Sequence, residues 1–146
     1  MSDAVFVNDA RVMSKGQVTI PKNVRAALGV TTGDRVTFVV NGNEVRVINS
    51  AVYALKRFRE EGFEIGDTES PIIPLYVRDV EKTFLVTALA FKAGVFINPV
   101  IPPACAPQDT LVRYALMATH TKEQVDRSVV ALKKIFVEQG IIKAAV

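Results

Sequence analysis

The chain carries one histidine and one cysteine, whose side chains are the types that could support nucleophilic chemistry. Cys105 lies in a proline-rich stretch, and His120 stands in a Thr-His-Thr run ahead of a helical pattern. An imidazole can activate a thiol, but nothing in the sequence orients this pair. We therefore expect the Cys105 thiol to have no catalytic role. We expect the His120 side chain to have a structural role, either in capping or in packing. The sequence shows no second metal ligand near His120 and no glycine-rich phosphate loop, so we predict no catalytic residue, no metal site and no bound cofactor.

The composition of the 146 residues limits the class of protein. An apolar fraction of 49% indicates a folded chain, and no apolar run approaches the roughly 20 residues of a membrane span. A net charge of +3 permits an anionic partner without requiring one. One cysteine excludes an internal disulfide, and the start of the chain lacks a secretory pattern, so we expect a cytoplasmic protein without a membrane partner.

Residues 16–29 organise the first third of the chain. Val18 and Ile20 alternate with polar residues, as in a half-buried strand. Pro21 interrupts the ladder and suits the first position of a helix. Gly29 is placed to end that helix, because glycine adopts a left-handed conformation at low cost. The stretch predicts a strand, a turn and a short helix with basic residues on the outer side.

Further strands and two hairpin turns surround this stretch. Strands are expected at residues 11–13, 35–40 and 44–48, and turns at 14–16 and 41–43, where Asn-Gly favours a type I′ turn. About four short strands and one helix bury too little surface for a stable monomer and leave open sheet edges. Two chains that interleave their hairpins into one barrel would remove both problems. We therefore expect a homodimer.

This first part resembles the AbrB/MazE/SpoVT swapped-hairpin DNA-binding domain, and we assign it to residues 1–49. The resemblance is carried by Lys15-Gly16-Gln17-Val18-Thr19-Ile20-Pro21, Arg25, Leu28-Gly29 and Gly33-Asp34. It implies an obligate dimer whose basic residues contact DNA, here Arg11, Lys15, Lys22 and Arg25. The alternative is that these are ordinary solvated charges on an interaction module with no DNA role.

From residue 50 the pattern changes to helices alternating with short strands. Helices are predicted at residues 51–61, 79–93 and 121–140, and strands at 71–77, 95–97 and 111–117. Asp79 is expected to cap the second helix and Thr121 to open the third with a capping box. In the second helix we expect Phe84, Leu85, Ala88 and Leu89 to face inward. The pattern predicts an α/β layer with three helices on one face of a small sheet, which makes the whole chain α+β.

This second part, residues 50–146, resembles the C-terminal small domain of the α-oxoamine synthases, which are pyridoxal-phosphate enzymes. The motifs are Thr68-Glu69-Ser70-Pro71-Ile72-Ile73-Pro74, Gly94-Val95-Phe96-Ile97-Asn98-Pro99-Val100-Ile101-Pro102-Pro103 and Val112-Arg113-Tyr114-Ala115-Leu116-Met117-Ala118-Thr119-His120-Thr121. Such enzymes bind the cofactor in a large domain that supplies a Schiff-base lysine, and the sequence contains no counterpart of it. The resemblance implies one functional group here, Arg113, which matches the arginine that binds the substrate carboxylate.

Two functions are compatible with these patterns. The first is a DNA-binding transcriptional regulator of the AbrB type, with a non-catalytic, enzyme-derived C-terminal domain for sensing or dimerisation. The alternative is a partial subunit of a pyridoxal-phosphate-dependent acyltransferase that needs a partner large domain. We expect the first, and we expect no catalysis by the chain alone.

Overall fold

The computed structural model describes residues 7–68, 70–117 and 119–144. The helices are α1 (Lys22–Leu28), α2 (Ser50–Glu60), α3 (Val80–Lys92) and α4 (Lys122–Glu138), and the strands are β1 (Val36–Asn41), β2 (Glu44–Asn49), β3 (Ile72–Tyr76), β4 (Asn98–Val100) and β5 (Leu111–Ala115). Short 3-10 turns lie at Ser14–Gly16 and Pro107–Asp109. This mixture confirms the α+β class. Below, residues 7–49 are called the hairpin region and residues 50–144 the layered region.

The hairpin region is built on β1 and β2, which pair antiparallel with Val40 opposite Val45. Helix α1 ends at Gly29, whose φ of 63° is the predicted left-handed conformation. Within residues 7–49 only Val30 and Thr37 are buried. Phe38 is 61% exposed and Val40 68% exposed. The apolar face of this hairpin is therefore uncovered in a single chain.

Two predicted strands, at residues 11–13 and 17–20, do not form in the described chain. The predicted turn between them is present, because the Met13 N–H donates to the Gln17 carbonyl at 2.8 Å. Beyond this bond, residues 11–13 and 17–20 form no strand ladder. A strand needs a neighbour for its N–H and C=O groups, and the described part of one chain does not supply that neighbour.

The layered region contains an antiparallel sheet in the order β3-β5-β4. Alternate residues of β3 and β5 are buried on one face, namely Ile73, Leu75, Val112 and Tyr114. Helices α2, α3 and α4 contribute to the same core through Phe58, Val86 and Phe136. The predicted layer of three helices and a small sheet is therefore present, and its sheet keeps one open face.

In the layered region the predicted helix caps are confirmed, and one strand lies elsewhere than predicted. Asp79 accepts a hydrogen bond from the Lys82 N–H at 2.8 Å, and Thr121 forms the expected capping box with Gln124. The strand predicted at 95–97 is wrong, because pairing with β5 begins at residue 98. Pro99 is tolerated there because β4 is an edge strand, where a missing N–H leaves no ladder bond unmade.

The predicted inward face of α3 is also wrong. Its buried residues are Thr83, Val86 and Ala90, because apolar residues occupy more than one face of this helix and the Thr83 hydroxyl is satisfied by donating to the Asp79 carbonyl at 2.6 Å. Of the residues expected inside, Leu89 is half-buried and the other three are exposed. The exposed apolar side chains of α3 form a strip, called here the outer stripe: Phe84, Leu85, Ala88 and Phe91.

Asn49 joins the two regions without a linker. It is the last residue of β2 and the cap of α2, where its side-chain oxygen accepts from the Ala51 N–H at 2.9 Å. Its side-chain nitrogen donates to the Gly29 carbonyl at 3.2 Å, at the end of α1. One side chain therefore fixes the hairpin, the end of α1 and the start of α2 together. Among the described residues, no helix has the length and apolar character needed to cross a bilayer.

Candidate functional site

Arg113 occupies the centre of the open face of the sheet. It lies on β5 between Val112 and Tyr114, which both point into the core, so alternation turns its side chain to the other face. In the register of the sheet it stands opposite Pro74 of β3 and Asn98 of β4. Two flanking strands therefore hold the backbone of Arg113, while its guanidinium is exposed.

A cleft of about 780 Å³ opens at this position. Its polar lining includes Asn98, Arg113, His120, Gln124, Arg127 and Ser128, and its apolar lining includes Ile72, Val95, Phe96 and Met117. Its walls come from β5, from the loop after α3 and from the first two turns of α4. We call it the Arg113 cleft.

The described charged side chains that line the Arg113 cleft are all positive. Two arginines line it, and none of the described lining residues is acidic. Within the described part of the chain, neither Arg113 nor Arg127 forms an ion pair. Guanidinium groups present donors in a fork that matches a carboxylate or phosphate. The arrangement suits an anionic ligand.

A buried hydrogen bond fixes the wall of the cleft. The hydroxyls of Tyr114 and Ser128 lie 2.8 Å apart and join β5 to α4. Burial raises the pKa of the Tyr114 phenol, so the group stays neutral and keeps its proton for this contact. The residues that precede this pair, Arg113 and Arg127, both reach the cleft.

His120 and Cys105 are each engaged in their own loop. The Nδ1 atom of His120 accepts a hydrogen bond from the Met117 N–H at 3.0 Å, which closes the turn before α4. The Cys105 thiol donates to the Val100 carbonyl at 3.5 Å. His120 therefore braces the loop before α4, while Thr121 caps the helix, and the hydrogen bonds of His120 and Cys105 are made to separate partners. The described residues contain no group of three or more potential metal ligands.

The four basic residues assigned to DNA lie in the hairpin region. Arg11, Lys15, Lys22 and Arg25 are all exposed. Lys15 holds a positive φ of 63° in the turn at Ser14–Gly16, and Arg25 is in the last turn of α1. Their solvent exposure is compatible with phosphate contacts, and their DNA role stays a prediction.

Sequence reasoning missed Arg127. The signal was available on α4, where Gln124, Arg127 and Ser128 follow helical spacing. What the sequence could not supply was the contact between Tyr114 and Ser128 that brings this face of α4 to β5. Arg127 enters the site through tertiary packing.

Comparison with known proteins divides the chain. Residues 10–52 match the family described as antidote-toxin recognition MazE, a bacterial antitoxin. Over 84 residues the chain is 82% identical to a serine palmitoyltransferase of Bacteroides ovatus, which covers 58% of the chain and 21% of that protein. It is 30% identical to 8-amino-7-oxononanoate synthase of Lysinibacillus sphaericus over 139 residues, or 94% of the chain and 34% of that protein.

The solved structures give the same resemblance to serine palmitoyltransferases. A serine palmitoyltransferase variant from S. paucimobilis with a bound PLP–myriocin aldimine matches 64% of this chain and 24% of its own at a TM-score of 0.57 and 26% identity. Both resemblances inferred from the sequence are thus confirmed. The chain spans between about a fifth and a third of the length of these curated relatives.

The described lining of the Arg113 cleft does not fit pyridoxal phosphate by itself. No lysine is among those lining residues to form a Schiff base, and no aspartate is there to face a pyridine nitrogen. What the cleft offers is a binding surface for acidic groups. Any cofactor chemistry would need residues from elsewhere.

Proposed function

We propose that the layered region is the small domain of a pyridoxal-phosphate-dependent acyltransferase of the serine palmitoyltransferase type. In this proposal the domain is completed by a large domain that lies outside the described residues and carries the cofactor. Arg113 binds the carboxylate of the amino acid substrate. The 82% identity over 84 residues to the Bacteroides ovatus enzyme supports this enzyme-subunit function more directly than it supports a regulator.

The observation that carries the proposal is that large exposed apolar side chains lie on α3 and in the lining of the Arg113 cleft. In the outer stripe Phe84 is 52% exposed and Phe91 70% exposed, and Phe96 at the cleft is 77% exposed. Large apolar patches on a folded domain typically mark an interface. A large domain seated on this surface would close the Arg113 cleft and desolvate the guanidinium.

A desolvated guanidinium is what a carboxylate-binding site needs. In water the exposed arginine gains little from one ion pair. Under a covering domain the same contact strengthens, and hydrogen bonds to charged groups contribute about 1.5–3 kcal/mol. In this proposal Arg113 therefore binds a carboxylate more strongly in the assembled site than on the open sheet face.

Co-expression tests the proposal. The full chain is produced together with the Bacteroides ovatus enzyme from which the matching 84-residue segment has been deleted. We expect the two to co-purify and to regain condensation of serine with a palmitoyl donor. Arg113→Ala should leave the complex intact and lower activity by about 10- to 100-fold, from the loss of charge-assisted hydrogen bonds.

Two control variants separate assembly from substrate binding. Phe84→Glu should abolish co-purification, because it places a charge in the proposed interface. Val130→Glu, on an exposed site of α4 outside the outer stripe, should not. If both fragments are soluble and folded but neither associate nor recover activity, the small-domain function is wrong.

The hairpin region supports a second candidate function, DNA binding. The match of residues 10–52 to the MazE antitoxin family favours it. We infer that two hairpin regions pair and present Arg11, Lys15, Lys22 and Arg25 to phosphates. Binding of this kind weakens with salt by about 0.9 log units per tenfold salt for each phosphate neutralised.

A salt titration against duplex DNA tests this second function. In a dimer each residue occurs twice, so Arg25→Ala should reduce the slope by up to about two phosphate contacts. Arg46→Ala is the matched control, because Arg46 is exposed on β2 and already paired with Glu44 at 2.9 Å. Wild-type binding without salt dependence, or an unchanged slope in Arg25→Ala, would rule out the DNA role.

A further inference from the structure

Arg127 faces the same cleft as Arg113 from a different element. It lies on α4, one residue before Ser128, and Arg113 lies one residue before Tyr114. The bond between the Tyr114 and Ser128 hydroxyls, both buried, holds this part of α4 against β5. Both arginines are among the residues that line the cleft, each from an element that this buried contact fixes.

The acidic residues nearest Arg127 in the sequence are committed elsewhere. Asp126 accepts hydrogen bonds from Tyr53 at 2.6 Å and from Arg57 at 3.2 Å, on the side of α4 that faces α2. Glu123 lies one turn before Arg127 on the exposed surface of α4, and a hydrogen bond to its own backbone N–H at the helix start lowers the pKa of its carboxyl. Neither forms an ion pair with Arg127, whose positive charge is left available.

We propose that Arg127 is a second anion-binding residue of the Arg113 cleft. The ligand of this cleft then carries two acidic groups, with a carboxylate on Arg113 and a second anionic group on Arg127. The Gln124 amide lies one turn before Arg127 in the lining and offers a further donor. This deepens the proposed function, on which it rests for the carboxylate of the first group.

Two sources could provide the second group. One is a phosphate on the carrier of the acyl donor, and the other is the second carboxylate of a dicarboxylic amino acid that takes the place of serine. Both present oxygens that a guanidinium binds in the same forked geometry. Arg127 is exposed at the edge of the cleft, so either source could reach it after the first group is seated.

Binding to the full chain alone tests the inference, independently of any large domain. Acetate, succinate and coenzyme A are titrated by NMR at low ionic strength, where surface charges are least screened. We expect Arg127→Ala to weaken coenzyme A or succinate by about tenfold, the loss of one charge-assisted contact, and to leave acetate unchanged. Arg113→Ala should weaken acetate and succinate, which carry the carboxylate that Arg113 binds.

The two probes and a matched control decide the outcome. An effect of Arg127→Ala on coenzyme A assigns the second group to phosphate, and an effect on succinate assigns it to a carboxylate. Lys134→Ala removes a charge from the same helix outside the lining and should change neither. If Arg127→Ala binds both probes like the wild type while Arg113→Ala does not, the inference fails and the proposed function survives. If co-expression fails but Arg127→Ala still weakens one of the probes, the proposed function fails and the second anion-binding role of Arg127 survives.

Discussion

The hairpin region and the layered region are incomplete in opposite ways. The hairpin region leaves its inner apolar face open, with Phe38 and Val40 exposed and two buried residues in total. The layered region closes a core around Phe58 and Phe136, while its outer stripe and its cleft stay open. In the first region the uncovered apolar face belongs to the strands themselves, and in the second it lies outside a core that is already closed. An exposed apolar side chain thus has a different meaning in each region.

The largest expected effect tests whether the layered region has its own core. Phe58 is fully buried, with its ring 5.1 Å from Phe63 and 4.9 Å from Tyr114. Phe58→Ala should lower the free energy of unfolding of this region by about 3–5 kcal/mol. Val52→Ala, on an exposed site of the same helix, should cost little. Thermal and urea unfolding by circular dichroism measure both, and equal losses would contradict a core centred on Phe58.

The next effect tests whether the hairpin face is an interface. Phe38→Asp places a charge on the uncovered face of β1 and should weaken the dimer by about 100-fold, or near 3 kcal/mol. The layered region should keep its unfolding transition. Asn43→Asp in the exposed hairpin turn adds the same charge and should leave the dimer unchanged. Sedimentation velocity across a concentration series measures the dimer, and a wild-type chain that stays monomeric throughout would refute the interface.

The smallest effect concerns pH and one ion pair of the layered region. The Arg78 guanidinium bonds to Glu64 and lowers the pKa of that carboxyl from its ordinary 4.5. The stability that the pair contributes is complete above pH 4.5 and is lost as pH falls through the lower pKa of the folded state. Because solvent screens this exposed pair, Glu64→Gln should melt only about one to two degrees below the wild type at about pH 6, and the gap should close as the pH falls below 4.5. A gap that is independent of pH would exclude the ion pair as its source.

The same pH series in the Phe38→Asp background sharpens the comparison between the regions. If the layered region is stable on its own, the gap between wild type and Glu64→Gln should have the same pH dependence in monomer and dimer. A gap that appears only in the dimer would show that the layered region depends on the hairpin region for its fold.

Features with local causes could be predicted from the sequence. Asp79 and Thr121 cap helices through side chains that reach backbone N–H groups three residues away, and Gly29 ends α1 through its own conformation. Each signal lies within one turn of its effect. The predictions that failed depended on distant partners. The strand expected at 95–97 shifted because its register is set by β5.

The candidate site shows the same division. Arg113 was found because a long local motif surrounds it. Arg127 was missed because only the contact of Tyr114 with Ser128, buried in the core, brings α4 to the cleft. The inward face of α3 was misassigned because apolar residues occupy more than one face of the helix, and the sequence does not show which face packs against the core. The described chain leaves the outer stripe uncovered.

Asn49 has a mechanical consequence for any pair of chains joined through the hairpin. Strand β2 passes into α2 with no intervening residue, and the Asn49 side chain bonds this junction to the end of α1. The junction between the two regions is therefore rigid. Two clefts carried by such a pair would be held at one fixed separation. Labels beside the two clefts should then report a single narrow separation, and Asn49→Gly should broaden it.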